Sequence, residues 1–426
     1  MSLWMKHVLM VVTLVFVDVV NSHINVTPTI TSMQNTTEPE EYDETANMTD
    51  EEYENYLIEY ITPEKSEWIF IAMHSVVFVV GLIGNALVCV AVYRNRTMRT
   101  VTNYFIVNLA VADFLVILIC SPPTVLWDVT ETWFMGTLAC KLVLYFQTVS
   151  ISVSVLTLTS ISIDRWYAIC HPLKFKSTTS RARTAIIIIW ILGFLSDLPE
   201  LYVLEAINHT PRLANGVYLT QCEALWSKES ETTYQVAKTI ILYILPLSLM
   251  SVTYYQIVKV LWKSDNIPGH SETVQMYNSQ NQNGLNRNST MGCANTMAQI
   301  KARRKAAKML VAVVIMFALC FFPVHIMNLL RYTIGIRQSP FMALVTNFSH
   351  WLIYANSAVN PLIYNFMSGK YRNEFKRLFL CCGPDRQNRL RRGNQTSRSG
   401  TYICRFTMTT MKTDNVSIGL SPEDIQ

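Results

Sequence analysis

Seven long apolar runs constrain this chain more than any other feature. They lie at 68–93, 103–127, 142–163, 184–204, 234–262, 309–330 and 341–367. Each is near the ~20 residues that cross a bilayer as a helix. Hydrocarbon offers no water to pair with backbone N–H and C=O groups, so such segments must satisfy them internally and form helices. Half of the residues are hydrophobic and only 15% are charged, whereas a soluble domain carries about 25% charge. The expected fold class is an all-α membrane protein, with a seven-helix bundle over 68–367.

Basic residues in short loops predict the orientation. Arg94, Arg96 and Arg99 follow the first run, Lys174, Lys176, Arg181 and Arg183 follow the third, and KARRKAAK at 301–308 precedes the sixth. The opposite loops carry Asp128, Glu131, Glu223, Glu229 and Glu231. The chain is therefore expected to cross the plasma membrane repeatedly, with the N-terminus outside and the C-terminus in the cytoplasm. Residues 1–22 resemble a signal peptide, although Asp18 and the lack of a small-x-small site leave cleavage open. Acceptor sequons at Asn25, Asn35, Asn47 and Asn208 fall on the predicted outer side and are candidate glycosylation sites.

Residues 23–67 read as an acidic, glycosylated ectodomain. Within it Tyr53, Tyr56, Leu57, Tyr60 and Ile61 recur at helical spacing, which predicts an amphipathic helix over 50–61, stopped before Pro63. Residues 264–298 and 383–426 read as unstructured cytoplasmic segments. Among the cysteines, only Cys140 and Cys222 fall outside, leaving one extracellular pair. The stretch 368–382 places aromatic residues and leucine on one face and Lys and Arg on the other, which suits a helix on the membrane lipid surface. Cys381 and Cys382 at its end read as palmitoylation sites, or else as idle thiols.

Ionisable groups inside a membrane are costly and point to function. Asp113 reads as the one buried acid, with Asn85, Ser154, Asn356, Ser357 and Asn360 at comparable depth. An oxygen-rich set of this kind suits a sodium ion or a water cluster; the alternative is hydrogen-bond glue between helices. Pro361 disturbs the backbone beside that set, and Pro246 and Pro323 repeat the device elsewhere, which favours a bundle with two packings. No paired catalytic carboxylates, metal-ligand spacing or nucleophile–base arrangement is present, so an enzyme is not expected. Nothing points to a nucleic acid or to a resident cofactor beyond sodium. A transporter or channel is the competing class, and the internal repeat common in transporters is missing.

The motifs themselves carry a resemblance. Asn85 in GN, LAVAD ending at Asp113, Cys140, Asp164-Arg165-Trp166, Trp190, Pro246 with Tyr254, Phe317 with CFFP at 320–323, and NPLIY at 360–364 match rhodopsin-like G-protein-coupled receptors over about 68–380. MRTVTNYFIVNLAVAD, DVTETWFMG, DRWYAICHPLKFKST and FSHWLIYANSAVNPLIYNFMSGKYRNEFK are similar to the orexin and allatotropin receptors. Phe321, Gln235 and Lys238 depart from the orexin pattern and favour the allatotropin branch.

That resemblance implies a receptor for an amidated neuropeptide that signals through a heterotrimeric G protein, of the Gq type that mobilises calcium. It implies activation and coupling roles for Asp164, Arg165, Trp166, Tyr254, Phe317, Phe321, Pro323, Pro361 and Tyr364. Arg303 stands where some relatives carry an acid that pairs with the equivalent of Arg165. The implied ligand set is Asp128, Gln147, Thr148, Gln235, Lys238, His325, Asn328, His350 and Tyr354. Gln147 lacks the charge that captures a cationic amine, and the ammonium of Lys238 is open to a ligand carboxylate or acidic side chain. The helix over 50–61 reads as a lid over the peptide, and 386–413 as a substrate for a receptor kinase and arrestin.

Overall fold

The computed structural model describes residues 48–171, 177–210, 217–263, 287–334 and 339–382. Met1–Leu378 form one compact unit; of the second, Phe379–Gln426, only 379–382 are described. The N-terminal apolar segment, Asn25, Asn35, Asn47 and the tail beyond 382 lie outside the described residues.

Helix α1, Asp50–Ile61, begins at a capping box. Glu52 N donates to Thr49 Oγ1, and Thr49 N donates back to the Glu52 carboxylate at 2.8 Å. Thr62 leaves the helical region just before Pro63 and ends it. Leu57 is buried beneath α1, the Tyr60 hydroxyl donates to Glu131 at 3.0 Å, and the Tyr218 hydroxyl donates to Glu54 at 3.3 Å.

Seven long helices follow: α2 (Lys65–Arg94), α3 (Val101–Thr130), α4 (Gly136–Cys170), α5 (Thr179–Val203), α6 (Lys228–Leu261), α7 (Arg287–Thr333) and α8 (Pro340–Met367). Helix α9, Gly369–Cys382, comes after them. Strands β1 (Leu204–Asn208) and β2 (Thr220–Ala224) form an antiparallel hairpin with Ala206 opposite Cys222. The end of the bundle bearing α1 and this hairpin is its upper end, and the end bearing α9 its lower. Among the described residues six helices are long and apolar enough to cross a bilayer; α8, with Asn356, Ser357 and Asn360 buried in it, completes the bundle. The protein is thus an all-α, seven-helix membrane protein. Its outward faces fit that solvent: Ile69, Val76 and Val79 on α2, Ile187 and Ile191 on α5, and Ile315 and Leu319 on α7 are all exposed.

Small residues and polar bridges set the helix contacts. A Cβ on Gly84 would lie 2.9 Å from Pro361 Cβ, so glycine is what lets α2 approach α8. Trp190 Nε1 donates to Asn108 Oδ1 at 2.9 Å and Asn108 Nδ2 donates to Thr157 at 2.8 Å, joining α5, α3 and α4. At the lower end, Asn95 Nδ2 donates to Glu374 at 3.0 Å, which ties the loop after α2 to α9.

Two readings need correction. The segment 264–298 reads as unstructured, but α7 starts at Arg287; the helix of KARRKAAK extends back through RNSTMGCANTMAQI although Asn, Ser, Thr and Gly there are weak helix formers. Residues 264–286 lie outside the described residues. The run 184–204 does not end as a helix either, because Leu204 pairs with Ala224 in the hairpin.

Candidate functional site

Two polar clusters occupy the upper end of the bundle. In the first, the Tyr354 hydroxyl of α8 lies 2.9 Å from Thr124 Oγ1 on α3 and 3.3 Å from Gln147 Oε1 on α4. One turn above, His350 Nδ1 is 2.9 Å from Asp128 Oδ1; a carboxylate only accepts, so this nitrogen carries the proton. Tyr354 is fully buried; its hydroxyl bonds the Thr124 hydroxyl and the Gln147 carboxamide, the His74 imidazole stands beside its ring, and Asp128 is the nearest acid.

The second cluster joins α4, α5 and α6. Lys238 Nζ donates to Glu200 Oε1 at 2.5 Å, and the Thr148 hydroxyl donates to Glu200 Oε2 at 2.8 Å. Asp197 is 1% exposed and accepts from Ser152 at 2.9 Å and Ser196 at 3.2 Å. Two carboxylates face one ammonium, so the cluster carries one negative charge in excess when all three are ionised. His325 Nδ1 lies 3.3 Å from Thr239 Oγ1 while its ring stacks on Tyr243.

The structure therefore brings Gln147, Tyr354, Asp128 and His350 into one neighbourhood and Thr148 and Lys238 into another. Gln235 and Asn328 are half-buried at the same end, without a described bond to either cluster. Two sequence readings change here. Asp113 is not the one buried acid, since Asp197 and Glu200 are buried too. Lys238 has a carboxylate partner within the protein, Glu200, which the sequence reading did not include. The signal was legible: two acids in DLPE, at the end of an apolar run, fall under the same cost of intramembrane charge that marks Asp113. Thr124 was missed for a different reason, since a threonine in a helix has no local signal of function.

Midway along the bundle, Asn360 Nδ2 donates to Asp113 Oδ2 at 2.8 Å and Ser357 also bonds this carboxyl. Asn85 Nδ2 donates to Ser357 O at 3.0 Å. The Oδ1 atoms of Asn85, Asn356 and Asn360 are buried and without partners. Carbonyl oxygens left unpaired around a carboxyl are the donor set of a hard cation or of ordered water. Ser154 is buried at this depth, with no described bond to the set.

At the lower end Arg165 pairs with its neighbour Asp164, which also accepts from Ser177. Trp166 Nε1 donates to Gln256 at 2.5 Å, linking α4 to α6. Tyr254 and Tyr364 are buried, and Phe317 packs on Phe321 with ring centres 4.8 Å apart, one turn below Pro323. Cys140 and Cys222 form a disulfide with Cα atoms 5.7 Å apart, fixing β2 to the top of α4.

Residues 84–364 match the family 7 transmembrane receptor (rhodopsin family). The chain is 31% identical over 316 residues to the QRFP-like peptide receptor of Branchiostoma floridae, a span covering 74% of this chain and 78% of the relative. It is 33% identical over 346 residues to Neuropeptide FF receptor 2 of Mus musculus, covering 78% and 76% respectively. Proteins of this kind are receptors, not enzymes. With its seven-helix bundle and this match, the chain belongs to the rhodopsin family of G-protein-coupled receptors.

Proposed function

We propose that this receptor recognises an amidated neuropeptide of the allatotropin or orexin type at its upper end, and signals through a heterotrimeric G protein of the Gq type. The observation that carries the reading is the hydroxyl–amide network of Thr124, Tyr354 and Gln147. It complements a neutral carboxamide, which both donates and accepts, better than a carboxylate that must be desolvated. The two relatives are named for peptides, which supports the ligand class. The excess acid of Asp197 and Glu200 beside Lys238 favours a peptide with a basic residue near that amide. Helix α1, docked on Glu131 and Tyr218, is positioned as a lid.

In this reading the upper end faces outward, and Asn208 with the N-terminal sequons is glycosylated. Arg165, a fixed and always-charged fork, meets the G protein when α7 moves outward at its lower end. Sodium or water occupies the Asp113 set in one packing and leaves in the other. Cys381 and Cys382 anchor α9 to lipid, and the tail is the substrate of a receptor kinase and arrestin. The test is calcium release in transfected cells challenged with a panel of amidated neuropeptides, allatotropin and orexin among them. Calcium release to at least one amide is expected. Silence towards the whole panel at normal surface expression overturns the reading.

A further inference from the structure

Among the described buried polar atoms of the upper end, the imidazole of His74 holds an acceptor without a donor. His74 on α2 is 4% exposed, and its Nδ1 lies 2.9 Å from the Phe70 carbonyl oxygen. A carbonyl only accepts, so Nδ1 carries the proton, and the neutral ring presents a bare lone pair at Nε2. That Nε2 is buried and has no hydrogen-bond partner. The ring stands edge-on to Tyr354 with centres 6.2 Å apart, and Asp128 and His350 are within electrostatic reach. Two donors of this cluster are committed, the Tyr354 hydroxyl to Thr124 and Gln147 and His350 Nδ1 to Asp128, while Trp351 Nε1, a donor on α8, is likewise buried without a described partner. A buried acceptor without a donor is costly unless something else supplies one.

We infer that His74 is a specificity-determining residue of the peptide site, its Nε2 accepting a hydrogen bond from the ligand's C-terminal carboxamide N–H. A free carboxylate has no such donor and would set its own lone pairs against that of the imidazole. His74 thereby reads amide against acid, while Thr124, Tyr354 and Gln147 hold the polar end of the peptide. The inference rests on the upper end being the peptide site.

Two measurements on the full-length receptor test it. His74→Phe keeps a ring of similar size and removes the lone pair, so the purified, ligand-free protein should melt about 2–4 °C higher. An equal or lower melting temperature means that Nε2 is already satisfied, by protein or by an ordered water only, and overturns the inference. The second measurement compares amidated allatotropin with its free acid. In His74→Phe the half-maximal concentration of the amide should rise about ten- to a hundred-fold, with the acid changed less than about threefold. His74→Gln, which restores an acceptor, should recover most of the loss. Equal losses for both peptides mark a packing role and sink the idea. If the native receptor answers neither peptide, this probe counts against the ligand class proposed above, while the melting measurement still decides on His74.

Discussion

The upper and lower ends of the bundle both bury charge, but they place it differently. At the upper end the two buried charged pairs described each join two helices: Lys238 on α6 with Glu200 on α5, and His350 on α8 with Asp128 on α3. At the lower end Arg165 pairs with Asp164, its neighbour on the same helix. Among the described residues no ion pair joins α4 to α7 there, and Arg303 is exposed. A pair between helices resists their separation; a pair within one helix does not. The upper end is therefore cross-braced by ion pairs around its polar clusters, whereas the described links between helices at the lower end are single hydrogen bonds, such as Trp166 to Gln256 and Arg304 to the Leu261 carbonyl.

Breaking the braces should have the largest effect. Glu200→Gln removes the carboxylate bonded to the Lys238 ammonium and leaves Asp197 alone to offset it, at a cost of about 3 kcal/mol. It should appear as a large fall in the melting temperature of purified receptor, and adding Lys238→Met should restore most of it. A Glu200→Gln protein that melts like the native one would break the contrast between the two ends.

The neutral network comes next. Gln147→Ala or Thr124→Val should each weaken an amidated agonist by about 1–3 kcal/mol, or about ten- to a hundred-fold in half-maximal concentration. Surface expression should stay normal. An unchanged dose–response curve in both variants removes this network from the ligand site.

Arg165→Ala sharpens the comparison from the other side. Its pair is partly exposed and within one helix, so stability should change by less than about 1 kcal/mol. Peptide binding is expected to persist while calcium release largely disappears. Intact signalling would mean that this arginine does not couple the receptor to its G protein.

The smallest effect belongs to the cap of α1. Hydrogen bonds from the Thr49 backbone and then its hydroxyl hold the Glu52 carboxyl below its ordinary value of 4.5. A depressed carboxyl stabilises the helix fully above that ordinary value and stops doing so as pH falls through its lowered one. Amide-exchange protection over 50–61, corrected for intrinsic rates, should be constant well above pH 4.5 and drop as the pH falls below that value. Protection independent of pH would show that the box contributes nothing in solution.

Much of the fold can be read without coordinates. The apolar runs become helices because, in lipid, each backbone group must bond within its own segment, so length and composition decide the matter locally. The start and stop of α1 are local as well, set by Thr49, Glu52 and Pro63. The polar residues at the heart of the site, Gln147, Tyr354, Asp128 and Asp113, stand out singly against apolar surroundings. The hairpin and the early start of α7 were not legible. Leu204 becomes a strand residue only because Ala224 lies opposite it.

By itself, then, the sequence determined how many helices there are and which residues among them are expensive to bury. Who pairs with whom was decided by tertiary structure alone. Lys238 and Glu200 are 38 residues apart, Tyr354 and Thr124 230, and Asn360 and Asp113 247. No periodicity reaches across such separations. A buried charge or amide must be satisfied, but which distant side chain satisfies it depends on how the helices pack. That packing gave Lys238 its partner in Glu200, and left His74 Nε2 without a donor.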